Sequence, residues 1–154
     1  MDIVENTLDA DLDSFLERPL FCFLGTVADG CPRVTPLWFL WEDGAVWIIA
    51  NEEKRYPQRV RETPAATVAV VDYERTTGRV RHVGMRGTAA VEPHDPERAI
   101  RLLKPYLGPD PSQWDQERFP DPHGWGDRMV LLRFEPQTVV ARDQSYAPAP
   151  AVRE

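Results

Sequence analysis

The chain has 154 residues, of which 42% are hydrophobic and 28% are charged, values typical of one soluble globular domain. Its formal net charge of −7 argues against a general binder of nucleic acid or anionic membranes, because such binding depends on positive charge. The acidic N-terminus lacks an apolar signal core, and no apolar run approaches the roughly 18 residues of a membrane span. We therefore expect a cytoplasmic protein with neither a nucleic-acid nor a membrane partner.

The first half of the chain predicts a short helix followed by strands in hairpins. Residues 9–18 form an apolar helical stripe that ends at Arg18-Pro19. Asp29-Gly30 and the tight turn at 42–44 are turn sequences typical of hairpins. The strands that these turns connect are predicted at 21–28, 31–41 and 45–51.

The second half continues with helices and strands. In chain order, these are a helix at 54–62, strands at 66–74 and 80–92, a helix at 95–107, and a strand pair or one bent strand at 128–143. Gly84 and Gly87 predict bulges or bends in their strand. Residues 108–126 predict a loop ordered by contacts, since its two Trp and one Phe are costly to expose. We predict one domain over 1–143 and a disordered tail over 144–154.

The pattern of about six strands in mostly hairpin-range connections predicts a mainly β protein with short helices. Closing an antiparallel sheet into a barrel removes its free edges, so we expect a barrel. Cys22 and Cys31 would not face each other across their hairpin, which argues against a disulfide. The sequence also lacks Cys or His spacing typical of a metal site.

The predicted strand at 31–41 carries large apolar side chains on both faces. Because side chains alternate along a strand, one face holds Val34, Pro36, Trp38 and Leu40, and the other holds Thr35, Leu37, Phe39 and Trp41. Burying one large apolar side chain is worth roughly 1.5–3 kcal/mol, so both faces need cover. The helix at 95–107 could supply it, but we favour a subunit interface with a flat apolar ligand beside it.

A basic run follows the strand at 45–51, where Lys54, Arg55, Arg59 and Arg61 accompany the start of a predicted helix. The free N–H groups of a helix start attract anions, and arginine can bind two phosphate oxygens at once. Such a run is more often a solvated helix face, so the residues alone leave both interpretations open.

The order of these segments resembles that of a known protein family. The segments on which the resemblance rests are FLGTVADGCPRVTPLWFLWEDGAVWIIAN, the basic helix start, ETPAATVAVVD and VGMRGTAAVE. Together they resemble the pyridoxamine-phosphate-oxidase-like flavin-binding split barrels over residues 8–142. The resemblance implies a six-stranded antiparallel Greek-key split barrel that forms a homodimer. It also implies a cleft at the dimer interface that binds FMN or the deazaflavin F420.

The resemblance also implies which residues bind the cofactor. Arg55 falls on the family's phosphate-binding arginine, whereas the neighbouring lysine is replaced by Tyr56, so Lys54 or Arg59 could take its role. The full set of predicted cofactor-binding residues is Arg33, Val34, Thr35, Pro36, Leu37, Trp38, Ile49, Ala50, Asn51, Lys54, Arg55 and Arg59.

No residue pattern predicts a dedicated catalyst or a metal site, which suits chemistry carried by a cofactor. The expected function is a flavin- or F420-dependent oxidoreductase acting on a small molecule. The chain ends without the Arg-rich substrate segment of true pyridoxamine-phosphate oxidases, which argues against that activity. A flavin-binding carrier or sensor without turnover is an alternative. A haem-binding relative is another, although His82, His94 and His123 are not convincing iron ligands.

Overall fold

Residues 1–150, the part of the chain that this computed structural model describes, form eight strands and three α-helices. The strands are β1 (Asp2–Asn6), β2 (Phe21–Ala28), β3 (Cys31–Trp38), β4 (Leu40–Glu42), β5 (Ala45–Asn51), β6 (Ala65–Glu74), β7 (Arg79–Pro93) and β8 (Met129–Asp143). The helices are α1 (Leu12–Leu16), α2 (Arg55–Glu62) and α3 (Pro96–Leu107). Three short 3₁₀ turns lie in the loop between α3 and β8.

All eight strands belong to one sheet. Seven follow the order β3-β2-β6-β7-β8-β5-β4 with antiparallel neighbours, and β1 pairs with β8 outside this order. The two end strands, β3 and β4, are separated in sequence by Phe39 alone. The chain therefore crosses from one edge of the sheet to the other at this residue and closes the sheet on itself. This confirms the predicted mainly β split barrel.

The six predicted strands are all present, with two differences from prediction. The strand expected at 31–41 breaks at Phe39, because the chain must change edges there. The N-terminal β1 was not predicted; it pairs in parallel with β8, for example Asp2 with Thr138. A five-residue acidic segment with exposed apolar side chains gives no local strand signal, so only its distant partner reveals it. Residues 129–143 form one bent strand rather than a pair.

The turn predictions are confirmed by backbone geometry. Asp29 and Gly30 have φ of 51° and 72°, and Asp43 and Gly44 have φ of 55° and 68°, the left-handed values that two-residue hairpin turns need. Gly87 lies at a register shift between β7 and β8. A Cβ atom there would lie 2.0 Å from the Glu135 carbonyl oxygen, so the close approach requires glycine.

The two faces of residues 34–41 are covered in different ways. Leu37, Phe39 and Trp41 pack with the barrel core, whereas Trp38 and Leu40 pack against a second cluster formed by α3 and the loop after it. The prediction that the chain's own helix covers one face is therefore confirmed for Trp38 and Leu40. Val34 and Pro36 remain exposed on the outside.

Both cysteines are free thiols, Cys22 buried and Cys31 exposed, as predicted. The backbone of the predicted tail continues to bond beyond β8: the N–H groups of Gln144 and Tyr146 donate to the carbonyls of Val80 and Gly78 at 2.8 and 2.9 Å. The ordered chain thus extends past residue 143. Residues 151–154 lie outside the described part. No helix within residues 1–150 is long and apolar enough to cross a membrane.

Candidate functional site

A wide groove of about 1090 Å³ lies between β3, β5, α3 and the loop that precedes β8. We call it the aromatic groove. Its strand residues are Phe21, Pro36, Leu37, Trp38, Ile49, Asn51 and Met129. Its helix and loop residues include Leu102, Leu103, Phe119, Trp125 and three cationic side chains, those of Lys54, Arg118 and Arg128.

Trp38 and Phe119 form an apolar wall of the groove, and Tyr106, which is outside the lining, supports Trp38 from α3. Trp38 lies nearly parallel to Tyr106 of α3, with ring centroids 4.6 Å apart and 9° between the planes. Phe119 stacks near Trp38, with centroids 6.0 Å apart. Flat, rigid side chains held in this way offer a surface suited to a planar ligand.

The hydroxyl of Tyr106 fixes this wall to the place where the barrel changes edges. It accepts the N–H of Phe39 at 3.2 Å and lies 2.7 Å from the carbonyl oxygen of Leu20, to which it donates. Burial raises the pKa of Tyr106 to about 12, so the hydroxyl stays protonated. Phe39 lacks a ladder partner, and Tyr106 therefore satisfies a backbone group that the strand break would leave unpaired.

Contacts of indole and imidazole side chains hold the loop between α3 and β8 in place. This confirms the prediction that contacts order the loop. Trp114 and Trp125 donate their indole N–H groups to the carbonyls of Gly108 and Pro120, each at 3.0 Å. The Nε2 atom of His94 lies 2.7 Å from the Pro122 carbonyl oxygen, and its ring stacks on Trp125. The loop is thereby a fixed wall of the groove.

The cationic edge of the groove lies where β5 ends and α2 begins. Lys54 is the N-cap residue of α2 and makes no side-chain capping bond, and Pro57 has no N–H. The Glu52 N–H donates to the Arg128 carbonyl at 2.9 Å, which holds Arg128 beside this turn. Within residues 1–150, no carboxylate forms an ion pair with Lys54, Arg118 or Arg128.

The structure brings half of the predicted cofactor-binding residues into the groove, namely Pro36, Leu37, Trp38, Ile49, Asn51 and Lys54. It places the others elsewhere. Ala50 is 1% exposed and belongs to the barrel core. Arg33, Val34 and Thr35 lie farther along β3 towards its hairpin, and Arg55 and Arg59 lie on α2 outside the groove lining. The cofactor assignment of all twelve residues stays a prediction.

Part of the predicted basic run is neutralised within the chain. Arg61 forms a two-pronged ion pair with Glu52, one bond of which measures 2.8 Å. This pair lowers the pKa of Glu52 and raises that of Arg61. Arg61 is therefore not available to a ligand in the way that Lys54 is.

Four of the groove residues that the sequence did not predict are Arg118, Phe119, Trp125 and Arg128. All four come from the loop or from its junction with β8. Its aromatic content predicted that the loop is ordered, but no local pattern shows which strand it packs against. That placement depends on α3, whose position is set by packing between distant parts of the chain.

None of the three histidines, all of which lie in the described part, lines the aromatic groove. His123 bonds Asp121 at 2.8 Å and Glu97 at 2.7 Å, and these carboxylates raise its pKa. His123 therefore links the loop to the first turn of α3. Among residues 1–150, no group of three or more His, Cys, Asp or Glu side chains is arranged to hold a metal ion.

The closed antiparallel sheet and the groove beside it define a protein of the split-barrel class. The chain belongs to the pyridoxamine 5′-phosphate oxidase family, whose model matches residues 8–139. No curated protein matches the chain.

Solved structures share the fold. A conserved hypothetical protein from Mycobacterium tuberculosis is 20% identical with a TM-score of 0.73, covering 100% of this chain and 98% of its own. A protein described as an F420 reductase is 23% identical with a TM-score of 0.66, covering 86% and 98%. An FAD-binding protein from Mycobacterium smegmatis is 14% identical with a TM-score of 0.58, covering 85% and 92%.

Proposed function

We propose that this protein binds FMN, or alternatively F420, in the aromatic groove and acts as an oxidoreductase on a small-molecule substrate. One observation carries the proposal: the groove joins a flat aromatic wall to cations that have no acidic partner in the described chain. A phosphorylated flavin or deazaflavin has the same two parts, a planar ring and an anionic tail. The F420 reductase and the FAD-binding protein among the structural neighbours are consistent with this class of ligand.

The ring system of the cofactor fits the strand side of the groove. Trp38 and Ile49 present apolar surface, and the Trp38–Tyr106–Phe119 stack is fixed by packing rather than by ligand contact. A preformed apolar wall lowers the ordering cost of binding and excludes water from one side of the ring.

The anionic tail fits the edge where α2 begins. Lys54 lines the groove there, and the first turn of α2 has backbone N–H groups that no side chain caps. A positive side chain and a helix start both attract phosphate. The predicted Arg55 lies on the same first turn, although it is outside the groove lining.

The chain's own residues would position the cofactor and the substrate rather than carry out bond chemistry. When bound, a flavin or deazaflavin supplies hydride transfer. The titratable side chains in the groove are few, and burial raises the pKa of one of them, Tyr56, which keeps its phenol neutral. The haem alternative finds no support, because the histidines lie outside the groove.

The proposal is tested by titrating the purified protein with FMN and with F420, following the quenching of tryptophan fluorescence. Trp38 and Trp125 line the groove, so a bound ring would quench their emission. Tight binding of one cofactor, followed by reoxidation of its reduced form by a small-molecule acceptor, is the expected result. Binding without turnover would favour the carrier or sensor alternative, and binding of neither would refute the proposal.

We also propose a homodimer with the groove at its interface. Exposed apolar side chains form a patch on the neighbouring strands β3, β2 and β6, namely Val34, Phe21, Phe23, Val71 and Tyr73. Phe21 belongs both to this patch and to the groove. A patch of this kind commonly marks a protein interface.

Sedimentation analysis of Phe23→Asp tests the dimer, and we expect this variant to be monomeric. The control is Ala90→Asp, at an exposed position of β7. A dimer that survives Phe23→Asp would count against this interface. Phe39 is unsuitable for the test, because it is 3% exposed and lies in the barrel core.

A further inference from the structure

We infer that Arg128, a residue outside every predicted set, binds the anionic tail of the groove's ligand together with Lys54. The inference rests on the proposed function and specifies its phosphate site. It concerns a residue that precedes β8 and lies far in sequence from α2.

Two backbone connections place Arg128 at the start of α2. The next residue, Met129, pairs with Asn51 at the end of β5. The Arg128 carbonyl accepts the N–H of Glu52 at 2.9 Å, and the Lys54 N–H donates to the Asn51 carbonyl at 2.9 Å. Arg128 and the turn that carries Lys54 are therefore held side by side, and both side chains line the groove.

The acids close to the two cations do not neutralise them. Glu52 is bonded to Arg61. Neither Glu53 of the same turn nor Glu117, which lines the groove, forms an ion pair with these cations within residues 1–150. On β8 itself, Arg133 pairs with Glu92 and Glu135. Arg128 therefore differs from Arg133 and Arg61, because no carboxylate within residues 1–150 forms an ion pair with it.

Two unneutralised cations at one edge of a groove repel each other, and an anion between them removes this cost. Arginine is well suited to phosphate, since its planar group donates two parallel hydrogen bonds. With Lys54 in the place of the missing lysine, Arg128 can thus provide the guanidinium that the sequence analysis assigned to Arg55, which is outside the groove lining. Arg59 does not line the groove.

The test compares ligands with and without phosphate in Arg128→Gln, using FMN against riboflavin. If F420 is the bound cofactor, the pair is F420 against its phosphate-free 5-deazariboflavin core. A lost charge-assisted bond predicts at least about ten-fold weaker binding of the phosphorylated ligand. Affinity for the phosphate-free ligand should not change. Arg128→Lys should restore part of the loss, and Arg75→Gln, an exposed turn arginine, should have no effect.

Two results would overturn the inference while leaving the proposed function intact. One is unchanged affinity of Arg128→Gln for the phosphorylated cofactor that the wild-type protein binds. The other is an equal loss for both ligands of the pair, which would show that Arg128 shapes the groove instead of binding phosphate. A wild-type protein that binds neither FMN nor F420 would overturn the proposed function and this inference together.

Discussion

The protein has two groups of cationic side chains that differ in one respect, the source of their counter-charge. In the first, Arg18, Arg79 and Arg81 surround the carboxylate of Asp72, whose side chain is 4% exposed. In the second, the cations of the aromatic groove have no acidic partner in the described chain. The first group is complete by itself, whereas the second requires an anion from outside.

The completeness of the Asp72 cluster shows in its geometry and its titration. Arg81 donates to Asp72 at 2.8 Å, and Glu74 and Asp9 supply further negative charge to Arg79 and Arg81 at 3.2 and 3.8 Å. Burial alone would raise the pKa of Asp72, but the three guanidinium groups outweigh it and lower the pKa to about 2. The comparison teaches that an arginine cluster is structural when its acids are present, and a ligand-site candidate when they are missing.

The largest effect should come from breaking the complete cluster. Asp72→Ala leaves three arginines around a buried position without their shared carboxylate, a change that typically costs about 3–5 kcal/mol. Urea unfolding would measure it, with Asp9→Ala as a control, since the Asp9 side chain is 78% exposed and contacts only the cluster's edge. Equal small losses in both variants would contradict the structural role of Asp72.

The next largest effect should come from Tyr106→Phe, which tests whether the groove wall is itself a structural element. The variant keeps the ring against Trp38 but leaves the backbone N–H of Phe39 unpaired, a loss of about 1–3 kcal/mol of unfolding free energy. Thermal or urea unfolding measures it. Tyr146→Phe, at an exposed tyrosine, serves as the matched control.

The pH dependence of stability should separate the two groups further. The pKa of Asp72 is lowered to about 2 from its ordinary value of 3.8, so its contribution is fully present above pH 3.8 and is lost as the pH falls towards 2. The shift corresponds to about 2 kcal/mol. The free energy of unfolding, measured in urea, should fall less between pH 5 and pH 2.5 for Asp72→Asn than for the wild type. An identical fall in both proteins would show that Asp72 does not cause the pH dependence.

A small effect on stability is expected at the groove. Lys54→Gln removes a cation without an acidic partner, so the free energy of unfolding should change by no more than about 0.5 kcal/mol, while FMN or F420 affinity falls. Unfolding and titration of the same preparation separate the two quantities. A large loss of stability would place Lys54 with the structural cations instead.

The smallest effect on stability concerns the two thiols, one buried and one exposed in the same hairpin. Burial raises the pKa of the Cys22 thiol to about 12, whereas Cys31 is exposed. A thiol reagent should label one cysteine per folded chain, and Cys31→Ser should abolish that labelling without affecting stability. Mass spectrometry gives the count, and labelling of Cys22 in the native protein would contradict the buried assignment.

Local patterns in the sequence were sufficient for most of the fold. Alternating apolar residues gave the strands, and the Asp-Gly pairs gave the turns, because their left-handed geometry depends on only two residues. The family resemblance added the split-barrel topology and six residues of the groove lining. Prediction failed for β1, whose pairing joins Asp2 to Thr138 across almost the whole chain.

The sequence by itself determined that residues 31–41 need cover on both faces and that a basic run follows β5. Only the tertiary structure decided how these features are used. The strand breaks at Phe39 because closing the barrel moves the chain between sheet edges, a requirement set by distant strands. Likewise, the Arg61 side chain pairs with Glu52, and the Glu52 N–H bonds the Arg128 carbonyl. The second of these contacts joins distant parts of the chain, which no local pattern contains.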